Sequence, residues 1–279
     1  MPKNDAILGT SPLRKEGRAK VLGTAQYIDD QNLPGMWHGS TVRSSIARGR
    51  IRAIHFAPEI DWTQFAIVRS SDIPGENTIV HLTKDHPCLA DREVNHPEEP
   101  ILLLTHPEKA ALLAAVAGVS IDYEELAGVF TIDESEAAVA NNSADRIIWQ
   151  GSEQGGTANC FKQYRMYSGE ARATEDGLAA AFEAADFIVE GEYHTGAQEH
   201  LYIEPNGVIA ECETDAAGNV VGVCVRGSMQ CPYYVVHALS LIFNLPEAKC
   251  RVIQTETGGA FGGKEDSPPS SAHTRLYSP

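Results

Sequence analysis

The sequence predicts an α+β fold arranged as two consecutive units. Three observations carry this. Short apolar segments of strand length interchange with helix-length segments of 3.6 periodicity along most of the chain. Turn residues such as Pro34-Gly35 and Pro74-Gly75 separate them. The chain has 279 residues, a length typical of about two domains, and its 43% hydrophobic content suffices for a sizeable core.

Residues 1–16 read as a polar arm with Gly9, Pro12 and the basic pair Arg14-Lys15. The first unit, 17–126, holds strand candidates at Met36–Arg43, Arg50–Phe56, Phe65–Arg69 and Ile101–Thr105. A helix follows, with Thr105 as expected cap, Glu108 completing a capping box and Pro107 in the first turn. Leu112, Leu113 and Val116 are expected on its buried face, and Gly118 ends it. Val119–Tyr123 then alternates like a strand. Residues 127–159 read as a connector with one short capped helix near Asp133 and Glu136 and a glycine-rich loop at 151–156. The second unit, 160–266, opens near Phe161. Thr174 is the expected cap of a helix carrying Leu178, Ala181, Phe182 and Ala185. Strands follow at Phe187–Tyr193, Val208–Cys212 and Val220–Arg226, the last two joined by the Asp215–Asn219 turn. Pro232 opens a helix through Val235, Leu239 and Ile242, and Cys250–Gln254 is a strand that runs into a glycine-rich loop.

Composition removes several function classes. Lys and Arg number 22 against 38 Asp and Glu, a formal net charge of −16. Such a balance opposes nonspecific grip on nucleic acid or an anionic membrane. No apolar run approaches the ~20 residues of a spanning helix, and the N-terminus lacks a signal-peptide h-region. The six cysteines contain no Cys-x-x-Cys pair, which disfavours a zinc ribbon or an iron–sulfur cluster on this chain. The expected setting is the cytoplasm, with reduced thiols.

The most chemical segment is Thr257-Gly-Gly-Ala-Phe-Gly-Gly-Lys-Glu265. Four glycines in six residues permit positive φ and close approach of a ligand. Consecutive amides in such a turn form an anion-binding concavity, and Lys264 is expected to add positive charge. The segment is not a Walker loop: one spacer residue is missing and Glu265 replaces the magnesium-binding Ser/Thr. It is not a Gly-x-Gly-x-x-Gly fingerprint either. Gly227-Ser-Met-Gln230 ends a strand, and Gln230 could donate a hydrogen bond into a cavity. Gly196–Gly207 mixes Gln198, Glu199, His200 and Glu204 among apolar residues. Neighbouring Glu199 and His200 point to opposite faces of an extended chain, so a structural polar network is expected there rather than a metal site. No histidine spacing suggests a metal, and no Gly-x-Ser-x-Gly elbow occurs.

Three ordered segments carry a resemblance. They are Gly9–Gly23 with Ala25–Asp30 and Val42–Arg48, then Gln198–Glu204, then Gly258–Glu265, with the Gln230 strand end between the last two. Together they resemble the molybdenum-binding subunit of the xanthine dehydrogenase/aldehyde oxidase family over residues 9 to about 266. The resemblance implies an α/β hammerhead domain at 17–126 and the start of a mixed α/β molybdopterin-binding domain at 160–266. It implies hydroxylation of a carbon in a small-molecule heterocycle or aldehyde, with water as the oxygen source. It further implies a molybdopterin-type molybdenum cofactor shared with the rest of the molybdenum subunit, and 2Fe-2S clusters and FAD on partner subunits or domains. Residue by residue, Gln230 matches the glutamine beside the oxo group of the metal, and Phe261 the aromatic of the substrate pocket. Gly259, Ala260, Gly262 and Gly263 match the cofactor-binding loop, with Ala260 where the family usually has Gly. Glu265 matches an acidic residue that orients purines in some members.

Nothing here corresponds to the family's general-base glutamate. After Asp266, Ser267–Pro279 is polar and proline-rich with no packing pattern. The expectation is a disordered tail at 267–279 following a truncation or frameshift, with a subunit divided over two chains as the other reading. Two further expectations compete with a catalytic component: a noncatalytic hammerhead-containing module that binds no molybdenum, and an anion-binding module resting on the glycine loop alone.

Overall fold

A computed structural model describes residues 9–80, 84, 86–147, 158–160, 164, 166, 175–265 and 273–277. The chain forms two compact units, 1–126 with 200–279, and 127–199.

In the first unit, helix α1 (Gly17–Val21) precedes strands β1 (Met36–Arg43), β2 (Gly49–Phe56), β3 (Ala66–Val68), β4 (Glu93–Val94) and β5 (Pro100–His106). Helix α2 (Lys109–Ala117) and strand β6 (Val119–Glu125) follow. Helices α3 (Ile132–Ala140) and α4 (Glu175–Glu183) belong to the second unit. The chain then returns to the first with β7 (Gly207–Thr214), β8 (Val220–Gly227), α5 (Pro232–Phe243), β9 (Cys250–Gln254) and β10 (His273–Tyr277). A seven-stranded sheet has the order β3-β5-β1-β10-β7-β8-β9, and a three-stranded sheet the order β4-β2-β6.

Strand β5 reads as an unbroken apolar run because both of its faces are covered. Leu102 and Leu104 pack with Leu112 and Ala115 of α2, while Ile101 packs with Ala90 and Val94. The spacing of Leu112, Ala115 and Val116 places one stripe of α2 on this core. Leu113, expected on the same stripe, is half exposed. The start of α2 also differs from the expectation. Thr105 is not its cap but a buried member of β5, paired with Gly39 and Ala66. Ladder bonding on both sides outweighs the local capping signal, and the helix starts at Lys109. The Glu108 amide donates to His106 Nδ1 at 2.9 Å instead.

Helix α3 is the short capped helix expected near Asp133 and Glu136, but its capping box is built by Thr131 and Glu134: the Glu134 amide donates to Thr131 Oγ1 at 3.1 Å, and Asp133 lies inside the first turn. The expected cap Thr174, the glycine run at 151–156 and Phe161 lie outside the described residues. Phe187–Tyr193 forms no strand, because no neighbouring strand pairs with it among the described residues. The tail expected to lack structure supplies one strand: β10 lies between β1, antiparallel, and β7, parallel. It thereby joins strands from residues 36–106 and 207–254 in one sheet.

The hairpin β7–β8 closes on Asp215, whose Oδ1 accepts from the amides of Ala217 and Asn219, each at 2.9 Å. Helix α5 carries β8 over to a parallel β9 and packs Val235 against Val208, Val223, Val225 and Met229. Its C-terminal carbonyls are not left to solvent: Ile242 and Leu241 accept from the amides of Gly75 and Glu76, each at 2.9 Å. Only glycine fits at 75, since a Cβ there would stand 2.0 Å from the Leu241 carbonyl oxygen. No helix among the described residues is long and apolar enough to cross a membrane.

Candidate functional site

Register brings three separate segments together. Parallel pairing sets Gly227, the last residue of β8, opposite Gln254, the last of β9. The segments that follow, 228–231 and 255–265, therefore leave the sheet side by side. Such carboxyl ends of neighbouring parallel strands are where α/β sheets bind ligands. Antiparallel pairing sets Val208 of β7 opposite Gly227, so the segment entering β7, with Tyr202 and Glu204, arrives at the same end. Two bonds past the strand ends hold the junction: the Thr255 amide donates to the Gly227 carbonyl at 2.9 Å, and Gln254 Nε2 to the Met229 carbonyl at 2.6 Å.

The glycine loop folds as a tight turn in which the Gly263 amide donates to the Ala260 carbonyl at 2.8 Å. Both central residues have positive φ, +52° at Phe261 and +96° at Gly262, and Gly259 has φ +103°. A phenylalanine in that region is uncommon. The Phe261 ring is three-quarters exposed. Gly263 is fixed by space rather than by φ: a Cβ would stand 2.4 Å from Cε1 of Tyr202.

The amides of the loop divide into two sets. Gly258 donates to Glu204 Oε2 at 2.7 Å, Gly262 and Lys264 to Gln230 Oε1 at 3.0 and 3.3 Å, and Glu265 to the Gly262 carbonyl at 3.4 Å. Among the described residues, the amides of Gly259, Ala260 and Phe261 donate to no protein acceptor. Three consecutive unpaired donors in a turn of positive φ form an anion-binding concavity. Of the residues expected to bind cofactor, Gly259, Ala260 and Phe261 thus offer donors. Gly262 and Gly263 spend theirs inside the protein and serve the shape of the turn.

Gln230 is oriented by the same bonds. The groups facing it from the loop are N–H donors, so its carbonyl oxygen must face them. A further bond, from the Gln230 amide to the Lys264 carbonyl at 2.8 Å, pins its backbone. The side-chain NH₂ is left over as a neutral donor directed away from those amides. Glu265, also expected in the site, is exposed at the end of the loop.

Lys264 is the largest fully buried side chain of the molecule among the described residues. Its Nζ donates to Glu204 Oε2 and to Ser228 Oγ, both at 2.9 Å, and lies 4.9 Å from the centre of the Tyr202 ring. Ser228 Oγ in turn donates to Glu204 Oε2 at 2.6 Å. Burial pushes the Glu204 carboxyl up, but the hydrogen bonds from Ser228, Gly258 and Lys264, with the Lys264 charge, outweigh it and hold the group below its ordinary value. The other oxygen, Oε1, is buried without a protein partner. This corrects the expectation for Lys264: its charge is matched by Glu204 under the loop and does not face a ligand. Glu204 realises the polar network expected in Gly196–Gly207. Ser228 was not singled out in the sequence; a serine between a strand end and Gln230 gives no signal until Lys264 is known to be buried. Lys20 of α1 forms a further ion pair with Glu256, at 3.0 Å, just before the loop.

Among the described residues no three His, Cys, Asp or Glu converge as a metal site. The thiols are free, and burial pushes Cys88 up to about 11.

Comparison with known proteins identifies the two domains. Residues 22–127 match the aldehyde oxidase and xanthine dehydrogenase a/b hammerhead domain, and residues 159–278 the molybdopterin cofactor-binding domain. The nicotinate dehydrogenase large molybdopterin subunit of Eubacterium barkeri is 30% identical over 95% of this chain and 57% of its own length. The xanthine dehydrogenase molybdenum-binding subunit of Escherichia coli O157:H7 is 30% identical over 91% of this chain and 32% of its own. The chain thus spans between about a third and somewhat over half of these relatives. The aldehyde oxidoreductase of Desulfovibrio gigas shares the fold over 99% of this chain and 31% of its own, with a TM-score of 0.70 and 22% identity. A hammerhead domain followed by a molybdopterin-binding domain, spanning part of such a subunit, makes this chain a member of the xanthine dehydrogenase/aldehyde oxidase family of molybdenum-binding subunits.

Proposed function

We propose that the chain is the N-terminal part of a molybdenum-cofactor-dependent hydroxylase subunit acting on a nitrogen heterocycle, with an aldehyde as the other substrate class. The observation that carries this reading is the row of unpaired amides at Gly259, Ala260 and Phe261 beside the directed amide of Gln230. Neutral donors in a rigid turn suit the oxo and phosphate oxygens of such a cofactor. When bound, the cofactor supplies the redox centre at which a substrate carbon is hydroxylated with oxygen from water.

The chain's own residues hold and orient. The three loop amides and Gln230 Nε2 donate to cofactor oxygens. The exposed ring of Phe261 offers a wall for a planar substrate. Glu265, also exposed, offers an acceptor to a ring N–H. The heterocycle reading draws on relatives named for nicotinate and xanthine. The remaining part of the subunit supplies the general base, and iron–sulfur and FAD partners take the electrons.

The test is a chimera of this chain with the part of the E. barkeri subunit that it does not match, made in a host that synthesises the cofactor. The expected result is close to stoichiometric molybdenum by mass spectrometry of the metal, and incorporation of ¹⁸O from labelled water into nicotinate or hypoxanthine. A folded chimera without molybdenum contradicts the reading.

A further inference from the structure

The segment Phe187–His194 is built like a β-strand and, among the described residues, stands alone. Two contacts show its alternation. On one face Glu192 Oε1 and His194 Nε2 meet at 2.8 Å. On the other the Tyr193 ring folds over Gly191, its hydroxyl 2.8 Å from where a Cβ would stand. Contacts between residues two apart, on alternate faces, are the period of a strand. One face then carries Phe187, Val189, Gly191 and Tyr193, and the other Ile188, Glu190, Glu192 and His194.

The first face is apolar, yet Phe187, Val189 and Tyr193 are 90%, 92% and 89% exposed. The backbone of 187–194 forms no hydrogen bond to any other described residue. Water satisfies such a backbone, but nothing offsets the exposure of three large apolar side chains on one strip. The alternation gives the segment a face for a core and two edges for neighbours.

We infer that Phe187–His194 is a strand of the molybdopterin-binding domain that pairs with a strand from the part of the molybdenum subunit this chain does not span. The inference rests on the functional reading above. The segment lies within residues 159–278, matched to that domain. About two-fifths of the E. barkeri subunit has no counterpart here and is the source of the missing neighbour. A second copy of this chain fits less well. Antiparallel pairing centred on Gly191 would set Glu190 opposite Glu192 twice, and parallel pairing in register would set each glutamate opposite itself. Like charges directly opposite oppose pairing. The neighbour therefore presents neutral or basic residues opposite the two glutamates and apolar ones over Val189 and Tyr193.

Hydrogen exchange tests this on the intact chain and on the chimera described above. In the chain alone, amides 187–194 exchange without protection, and Val189→Asp leaves the melting temperature unchanged. In the chimera the same amides slow by about 100-fold or more, and Val189→Asp abolishes that protection. Protection in the chain alone that grows with concentration assigns the edge to a second copy and overturns the inference. Fast exchange of 187–194 in a chimera whose β8 and β9 amides are protected overturns it. A chimera that carries molybdenum while 187–194 exchange freely sinks the inference and leaves the functional reading standing. Protection without molybdenum does the reverse.

Discussion

Lys264 Nζ lies 2.9 Å from Glu204 Oε2, across sixty residues of sequence, with the lysine wholly buried. Glu204 also receives the Gly258 amide, so one carboxylate holds both the first glycine of the loop and the lysine that follows its last glycine. The loop between them is thereby closed at its base, and Gln230 ties its middle. The unpaired amides at 259–261 are displayed by a frame that this ion pair closes.

Removing one partner of a buried pair leaves an uncompensated charge. Lys264→Met should lower unfolding stability by about 3–5 kcal/mol in a urea titration. Pairing it with Glu204→Met should restore part of that loss, because no buried charge then remains. Equal loss in the single and double variants would show that the charges do not act on each other.

The same carboxylate gives a pH dependence. Glu204 is held below its ordinary value of 4.5, so the unfolded chain takes up the proton first as pH falls. Its stabilisation is complete above pH 4.5 and is lost as pH drops through the lower folded value. Urea midpoints should therefore fall more steeply below pH 4.5 in the wild type than in Glu204→Gln. Parallel slopes would contradict the assignment.

Phe261 is exposed and sits at φ +52°. Phe261→Gly removes strain that costs non-glycine residues about 1–2 kcal/mol, against a larger entropy loss on folding. The expected stability change is between neutral and about +1 kcal/mol. A loss above 1 kcal/mol would show that the ring packs.

The strands around this site were legible because each is short, apolar and bounded by turn residues. Cys250–Gln254 and Met36–Arg43 form as read. The start of α2 was not, because Thr105 is claimed by pairing with Gly39 and Ala66, which no local pattern reveals. Phe187–Tyr193 carries a strand pattern without a neighbour among the described residues, and pattern cannot report whether a partner is present. In the site, the glycine loop and Gln230 were legible from residue type. The division of the loop amides into used and unused was not, since it depends on Gln230 reaching Gly262 from thirty-two residues away. Lys264 misled because a lysine after glycines reads as exposed charge until Glu204 is found beneath it.

The thiols should separate by burial. Cys160 is exposed, while burial pushes Cys88 up to about 11. In the folded chain at neutral pH, a thiol reagent should label Cys160 first and leave Cys88 to react only on unfolding. Mass-mapped labelling that modifies Cys88 as fast as Cys160 would contradict the described packing.

Gln230 separates shape from donation. Gln230→Glu keeps an acceptor for the Gly262 and Lys264 amides but replaces the outward NH₂ with oxygen. Gln230→Ala removes both. Loop amide exchange in the cofactor-free chain should be near wild type in the first and faster in the second. Cofactor content of the chimera should fall in both. Unchanged content in Gln230→Glu would remove Gln230 from the proposed donor set.

The most direct test of the account is residue-resolved hydrogen exchange of the loop in the chimera, with and without molybdenum cofactor. The account predicts that the amides of Gly259, Ala260 and Phe261 gain protection on loading. Those of Gly262 and Lys264, already bonded to Gln230, should change little. A loaded enzyme in which 259–261 exchange as fast as in the empty one would contradict the assignment of this loop as the cofactor's cradle.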